Sequence, residues 1–429
     1  MVGIVRYRKK PEPPYRFRSP RHVPFFMWLA YTLTPYFLHR FLRISRIEVA
    51  QEDLEALRRL GGQRVVLTPN HPTADPIVLF QLSRRLGLKF CWMAARELFD
   101  ARLQGAVVSR VGVYSIDRGR RDEQSLSMTQ QILCEGQHWV VIFPEGVNHL
   151  LHNEVLPFLP GAARQGFGAL DLLGSQGGEL PPVYLQPVAL RYYYLQDMRQ
   201  TALKSLERLE RRLGLDVRPA RPLQHRLGVI SNLVLELNER HYGIMPRPGD
   251  DEDSRLNRLK EIALQRVAEG MGMDVPSPDQ PLRNRVRKLL NASNQLLAVD
   301  AAAGGSYAHE LSVERRERVL KLRHELSRIS TFMAMRWNYE VEAATIENLM
   351  DVLNLLEMDL LGRKRVWGPR GVLIKVGAPI DLREHYSAYH ADPVAACEAV
   401  MLQVEIEVRR LLKTSADRMA PIPLSMVFG

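Results

Sequence analysis

Cysteine is scarce: Cys91, Cys134 and Cys397 are the only three in 429 residues. They are too few and too scattered for a disulfide framework or a metal cluster, which leaves ordinary buried thiols in a reducing compartment as the expectation. Long apolar runs are missing as well. The longest uncharged apolar stretch, Pro24 to Leu38, falls short of the roughly 18 to 20 residues a membrane-spanning helix needs. Met1 to Lys10 carries charge without an apolar core leading to a small-residue cleavage site, so no secretory signal is expected. No zinc-finger spacing, glycine-rich phosphate loop or aromatic RNA-binding box is present, which makes nucleic acid the weaker explanation for a basic chain.

The chain has a formal net charge of +11, with 46% hydrophobic and 25% charged residues, the balance of a folded protein with an anionic partner. At this length two structural units are expected. The excess charge is concentrated at the start: Arg6, Arg8, Lys9, Lys10, Arg16, Arg18 and Arg21 precede the fold, with Glu12 the one acid among residues 1–22. A polybasic segment followed by Trp28, Tyr31 and Tyr36 in an apolar stretch suits a helix lying in a membrane interface, the two signals binding cooperatively. A helix packed on the domain is the alternative.

Val65 to Thr68 is an apolar, β-branched run that reads as a buried strand. It leads into Asn70-His71-Pro72-Thr73-Ala74 as a turn, with Asp75-Pro76 as the cap and first residue of a helix. A histidine and a carboxylate thus meet where a strand hands over to a helix, the place where α/β sheets put their chemistry. His71 is the candidate general base, with Asp75 fixing its tautomer. Gly112-Val113-Tyr114-Ser115-Ile116-Asp117-Arg118 follows, then Phe143-Pro144-Glu145-Gly146 behind the strand Trp139 to Ile142, then Phe158-Leu159-Pro160-Gly161-Ala162-Ala163, then the strand Val183 to Leu190.

In order and spacing these blocks resemble those of the glycerolipid acyltransferases, the family of bacterial 1-acylglycerol-3-phosphate acyltransferase, over about residues 46–197. The resemblance implies a fatty acyl transfer from acyl-CoA or acyl-carrier protein, used as co-substrate, to a lysophospholipid hydroxyl. The acceptor it implies first is 1-acylglycerol 3-phosphate, with the reaction run at the cytoplasmic face of a membrane by a peripheral or monotopic protein. It implies His71 and Asp75 as catalytic residues; Asn70, Arg118, Glu145 and Gly146 as substrate-binding residues; and no metal or bound cofactor. Arg118 would hold the acceptor phosphate, for which a guanidinium fork is suited. Two departures stand out. Three residues rather than four separate His71 from Asp75, shortening the loop's reach by about 3.5 Å. Val147 also stands where the family often continues with Thr-Arg-Ser after the Phe-Pro-Glu-Gly block. A membrane-bound relative that has lost turnover, or an acyltransferase for another lipid alcohol, are the alternatives.

The expected fold is α/β, a mixed sheet flanked by helices with a large helical insertion. Its order is a basic tail (1–23), an apolar interface helix (24–45), the first part of the acyltransferase domain (46–197), the insertion (198–364), the domain's last strand and helix (365–413), and a tail (414–429). Leucine-rich spacings of three and four mark the insertion's helices, among them Leu256, Leu259, Ala263, Val267 and Ile346, Leu349, Leu353, Leu356. Gly371 to Leu382 then returns to strand character, as in the same acyltransferase domain.

Overall fold

The computed structural model describes residues 15–71, 75–99, 102–117, 122–146, 152, 155–280, 282–299, 314–323, 325–326, 328–329, 345–362 and 365–419. A single eight-stranded sheet organises the α/β half. Its strands are β1 (Ile44–Val49), β2 (Arg64–Pro69), β3 (Phe90–Ala95), β4 (Val113–Ile116), β5 (Trp139–Val141), β6 (Val183–Tyr194), β7 (Arg370–Val376) and β8 (Ile380–Asp381). They run in the order β1-β7-β6-β2-β5-β3-β4, with β8 paired to β6. From β6 to β4 all neighbours are parallel, whereas β7 pairs antiparallel with β6 and parallel with β1. Both faces are covered by helices, as the fully buried Val65-Val66-Leu67 run of β2 requires. Helices α1 (Pro24–Phe41), α2 (Gln51–Arg59) and α3 (Asp75–Leu86) pack on one face. Helices α5 (Glu123–Glu135), α6 (Gly161–Ser175) and α14 (Pro393–Thr414) pack on the other, and α4 (Arg102–Ser109) lies between β3 and β4 in the chain.

Most elements match the sequence expectation, and the exceptions have physical causes. Helix α3 begins at Asp75, so this residue stands inside the first turn rather than ahead of it. The expected long last strand is broken by Gly377-Ala378-Pro379 into β7 and β8, because proline cannot donate to a ladder. The end of the basic tail is not loose. From Tyr15 to Val23 it lies along the open edge of β4, with Arg21 N–H donating to the Ser109 carbonyl at 2.7 Å and Gly112 N–H to the Arg21 carbonyl at 2.9 Å. An unpaired sheet edge is thereby covered.

Helix α1 packs on the domain with one of its sides. Met27 and Leu38 are buried, and Tyr31 stacks on Phe80 of α3 with centroids 4.5 Å apart. Its outer side exposes Phe25, Trp28, Leu33, Tyr36, Phe37 and Phe41. Among the described residues no helix is long and apolar enough to cross a membrane.

Helices α7 (Arg199–Arg212), α8 (Leu223–Tyr242), α9 (Glu252–Gly270), α10 (Leu282–Val299), α11 (residues 314–323) and α12 (Ile346–Leu361) build a separate core. Successive helices are stapled by forked arginine–glutamate pairs: Arg226 to Glu210 at 2.8 and 2.7 Å, Arg255 to Glu239 at 3.0 and 2.7 Å, Arg285 to Glu261 at 2.6 and 2.7 Å. This accounts for a charge-rich region that is nearly neutral. The chain then returns to the sheet, and β7 inserts between β1 and β6.

Candidate active site

Strand β2 ends in Pro69, which has no N–H to continue the ladder. Asn70 takes over with its side chain: Oδ1 accepts the Leu190 N–H at 2.7 Å and Nδ2 donates to the Leu190 carbonyl at 3.2 Å. The carboxamide imitates one more residue of β pairing and fixes where the chain turns away from the sheet. His71 is the first residue beyond that clamp. Its backbone N–H donates to Glu145 Oε1 at 2.7 Å, while Glu145 Oε2 accepts the Leu156 N–H at 2.9 Å. Glu145, almost fully buried, thus ties the histidine loop to the segment that follows β5. Gly146 closes the turn at φ +70°, a conformation costly for other residues, and its N–H donates to the Phe143 carbonyl at 3.1 Å.

Despite the shortened loop, the expected pair forms. His71 Nδ1 lies 3.0 Å from Asp75 Oδ2, and the imidazole stacks on Phe143 with centroids 4.1 Å apart. A carboxylate facing Nδ1 selects the tautomer in which Nδ1–H donates, leaving the lone pair on Nε2. Asp75 is completely buried, and Tyr192 OH donates to its Oδ1 at 2.5 Å. Tyr192 was not legible beforehand, because β6 runs four residues past the expected end of its strand.

Behind Tyr192 lies a second histidine–aspartate pair. His152 Nδ1 is 2.5 Å from Asp351 Oδ1, and the His152 N–H donates to Asp351 Oδ2 at 2.7 Å. Arg370 Nη1 lies 2.6 Å from His152 Nε2 and Nη2 donates to the Leu42 carbonyl at 3.0 Å. A guanidinium only donates, so Nε2 accepts and His152 is neutral with its proton on Nδ1. Both the His152 ring and the Arg370 guanidinium sit against the Tyr192 ring, at 5.1 and 5.6 Å. Asp351 comes from α12, so the helical insertion connects to the candidate base through His152, Tyr192 and Asp75.

Arg118 lies outside the described residues, but both flanks of its loop are pinned. Asp122 caps α5 through the Ser125 N–H at 3.1 Å, accepts the Asp117 N–H at 2.9 Å, and receives the Tyr15 hydroxyl at 2.6 Å. Arg96 pairs with Asp117 at 3.5 Å. Gly112, which opens the same block, has φ +91°, and a Cβ there would run into His22 and the Phe90 carbonyl.

His71 lines a cavity of about 1080 Å³ whose walls come from both faces of the sheet. Ala30, Leu33 and Phe37 of α1 with Ile77, Phe80 and Trp92 form an apolar side; Gly146, Gly161 and Gln165 lie on the other. Among the described residues no three His, Cys, Asp or Glu side chains converge as a metal site.

A sequence model of the acyltransferase family matches residues 42–191. The chain carries an acyltransferase-family domain. The match begins just ahead of β1 and ends within β6, so it contains His71, Asp75, Glu145 and Gly146 and stops one residue before Tyr192. The match supports an O-acyltransferase and, more coarsely, acyl transfer in lipid metabolism. No curated protein sequence matches the chain. The sheet that holds the matched strands extends beyond the matched residues, since β7 joins it and α14 covers one of its faces.

Proposed function

We propose that this acyltransferase moves a fatty acyl group from a thioester, acyl-CoA or acyl-carrier protein, to the hydroxyl of a lysophospholipid, with His71 as general base and 1-acylglycerol 3-phosphate as the first acceptor. The observation that carries the reading is the His71–Asp75 pair at 3.0 Å, its tautomer set, on the wall of a large apolar cavity. His71 Nε2 takes the acceptor hydroxyl proton as the oxygen attacks the thioester carbonyl, and Asp75 stabilises the imidazolium until the thiolate leaving group is protonated. The closed pair also weighs against a scaffold that lost turnover through the shortened loop. Each buried methylene is worth about 0.8 kcal/mol, so an acyl chain in this cavity supplies most of its own binding.

Leu33 and Phe37 belong both to the exposed side of α1 and to the cavity wall. That supports a peripheral protein resting α1 on a membrane, with Arg40, Arg84 and Arg85 nearby and the basic tail adding attraction to anionic lipid. The decisive experiment incubates the full chain in anionic vesicles with labelled acyl-CoA and a panel of lysolipids, reading products by mass. Acylated lysophosphatidate is the expected product. Arg118→Ala should then raise KM for that acceptor about tenfold to a hundredfold and leave the donor KM unchanged, as a lost charge-assisted pair does. Preference for an uncharged acceptor would overturn the phosphate assignment, and absence of any product would overturn the transferase mechanism.

A further inference from the structure

Gln165 lines the cavity, and the reaction above gives it no task. It stands in the second turn of α6, is only 5% exposed, and lines the cavity, yet its Oε1 has no hydrogen-bond partner. An unmatched carboxamide oxygen costs folding free energy that an apolar residue would not, so its presence calls for a partner that arrives later. The same wall of the cavity includes the start of α6. Pro160 occupies the cap position without a side-chain cap, and the first intrahelical bond is the one from the Arg164 N–H to the Pro160 carbonyl at 3.0 Å. The N–H groups of Gly161, Ala162 and Ala163 therefore have no acceptor within the helix. Gly161 and Ala162 themselves line the cavity.

The two halves of this site ask for opposite things. A helix N-terminus offers donors and favours partial negative charge, as on a carbonyl oxygen. Gln165 Oε1 offers an acceptor and needs an N–H or O–H. An uncharged group with a carbonyl and an N–H side by side, an amide, satisfies both. The cavity lining is mostly apolar, Leu126 and Ile116 included, with Arg164 the neighbour of Gln165 in sequence, and it suits a slender chain of methylenes and amides.

We propose that Gln165 and the N-terminal turn of α6 form the subsite for an amide of the pantetheine arm, the part common to coenzyme A and acyl-carrier protein. The proposal rests on the reading of a thioester donor. It makes Gln165 a donor-binding residue with no part in proton transfer, and it places the arm opposite the α1 side of the cavity, which is left to acyl chain.

Titration calorimetry of the full chain in detergent tests this with non-transferable thioethers: S-hexadecyl pantetheine, S-hexadecyl coenzyme A, and S-hexadecyl thioglycerol, which has no amide. The wild type should bind the first two more tightly than the third. Gln165→Leu should bind both amide-bearing ligands about tenfold more weakly, the loss of about 1.4 kcal/mol, and the amide-free ligand equally well. Its melting temperature should be equal or higher, since the unmatched amide is gone. If the wild type does not favour the pantetheine compounds, the thioester-carrier reading fails and this proposal with it. If the wild type does favour them and Gln165→Leu binds them as well, the subsite alone is refuted. The same holds if the variant instead alters KM for the lysolipid. Should Gln165→Leu not fold, Gln165→Met carries the same comparison. S-hexadecyl carrier protein, added as a fourth ligand, distinguishes the two carriers by which binds the wild type more tightly.

Discussion

Two buried histidine–aspartate pairs flank Tyr192, and they differ in what the second imidazole nitrogen meets. In His71–Asp75 the carboxylate takes Nδ1 and the ring, 17% exposed, borders a cavity large enough for substrate. In His152–Asp351 the carboxylate again takes Nδ1, but Arg370 takes Nε2 and the ring is enclosed. The first arrangement leaves a base; the second consumes its lone pair and makes a strut. A histidine beside an aspartate is therefore not by itself a catalytic sign, and the environment of the other nitrogen decides. The strut still touches the chemistry, because it braces the ring of the tyrosine that donates to Asp75.

The comparison breaks first if the wrong histidine matters. His71→Ala should lower the transfer rate by about a hundredfold to ten-thousandfold and shift stability little, because a loop histidine bordering a cavity carries chemistry more than packing. His152→Ala should lower the rate far less and cost mainly stability. Vesicle assays beside urea melts of both variants check this, and the reverse ranking would transfer the base to His152.

Next in size is the strut itself. Arg370→Met removes the guanidinium that holds His152 Nε2 and the Leu42 carbonyl, and leaving those buried acceptors unmet costs about 1 to 3 kcal/mol each. Replacing Arg370, His152 and Asp351 together by apolar residues should recover most of that, since a well-packed apolar substitute spares the desolvation. Equilibrium unfolding of the single and triple variants measures both. A triple variant no more stable than Arg370→Met would show that the polar set is worth more than its desolvation.

The two pairs also differ in how far they could be read from the sequence. His71 and Asp75 lie four residues apart between a strand run and a helix start, so local pattern alone brought them together. His152 and Asp351 lie 199 positions apart, and nothing local announces that α12 delivers its carboxylate beside β6 and β7. Most sheet elements were legible because burial on both faces forces continuous apolar runs. Helix α8 was not, because Arg226, Asn238 and Glu239 occupy its buried stripe, where a pattern search expects leucine. Arg226 and Glu239 are there for the arginine–glutamate staples, whereas Asn238 bonds the Val234 carbonyl and Arg328. Asn70 and Glu145 were read as substrate contacts from resemblance, whereas their polar atoms hold backbone groups of the surrounding segments. Gln165 carried no signal at all, since a single polar residue in an apolar helix face means nothing until its neighbours are known.

Tyr192 links the two pairs, and Tyr192→Phe separates bracing from hydrogen bonding. The ring stays against His152 and Arg370, but Asp75 loses a donor that contributes roughly 1.5 to 3 kcal/mol as a bond to a charged group. A fall of about tenfold in kcat, with KM for both substrates unchanged, is expected of a residue that positions the carboxylate. A change confined to KM would instead place Tyr192 in contact with substrate.

A third histidine site, with no carboxylate hydrogen-bonded to its rings among the described residues, sharpens the comparison at its weak end. His22 Nε2–H donates to the Phe90 carbonyl at 2.9 Å and its ring lies 4.4 Å from that of His138. Burial is the main reason its pKa falls from 6.5 to about 4, the Phe90 bond opposing this and His138 and Lys89 adding to it. His138 is lowered too, again chiefly by burial. The sign follows directly. Between pH 6.5 and about 4 the unfolded chain binds a proton at His22 that the folded chain refuses, so stability falls as pH falls through that window. The loss is on the order of 1 to 2 kcal/mol once screening of a partly exposed ring is discounted. Because His22 ties the Tyr15 to Val23 segment to the sheet edge, the loss should show there first, as faster amide exchange at Arg21 and Gly112 near pH 5 than at pH 7 after correction for intrinsic rates. His22→Gln keeps a donor for Phe90 without a titrating ring and should flatten the dependence. An equally steep pH profile in that variant would move the effect to His138, whose lowering by burial and Lys89 the nearby Glu135 charge partly opposes.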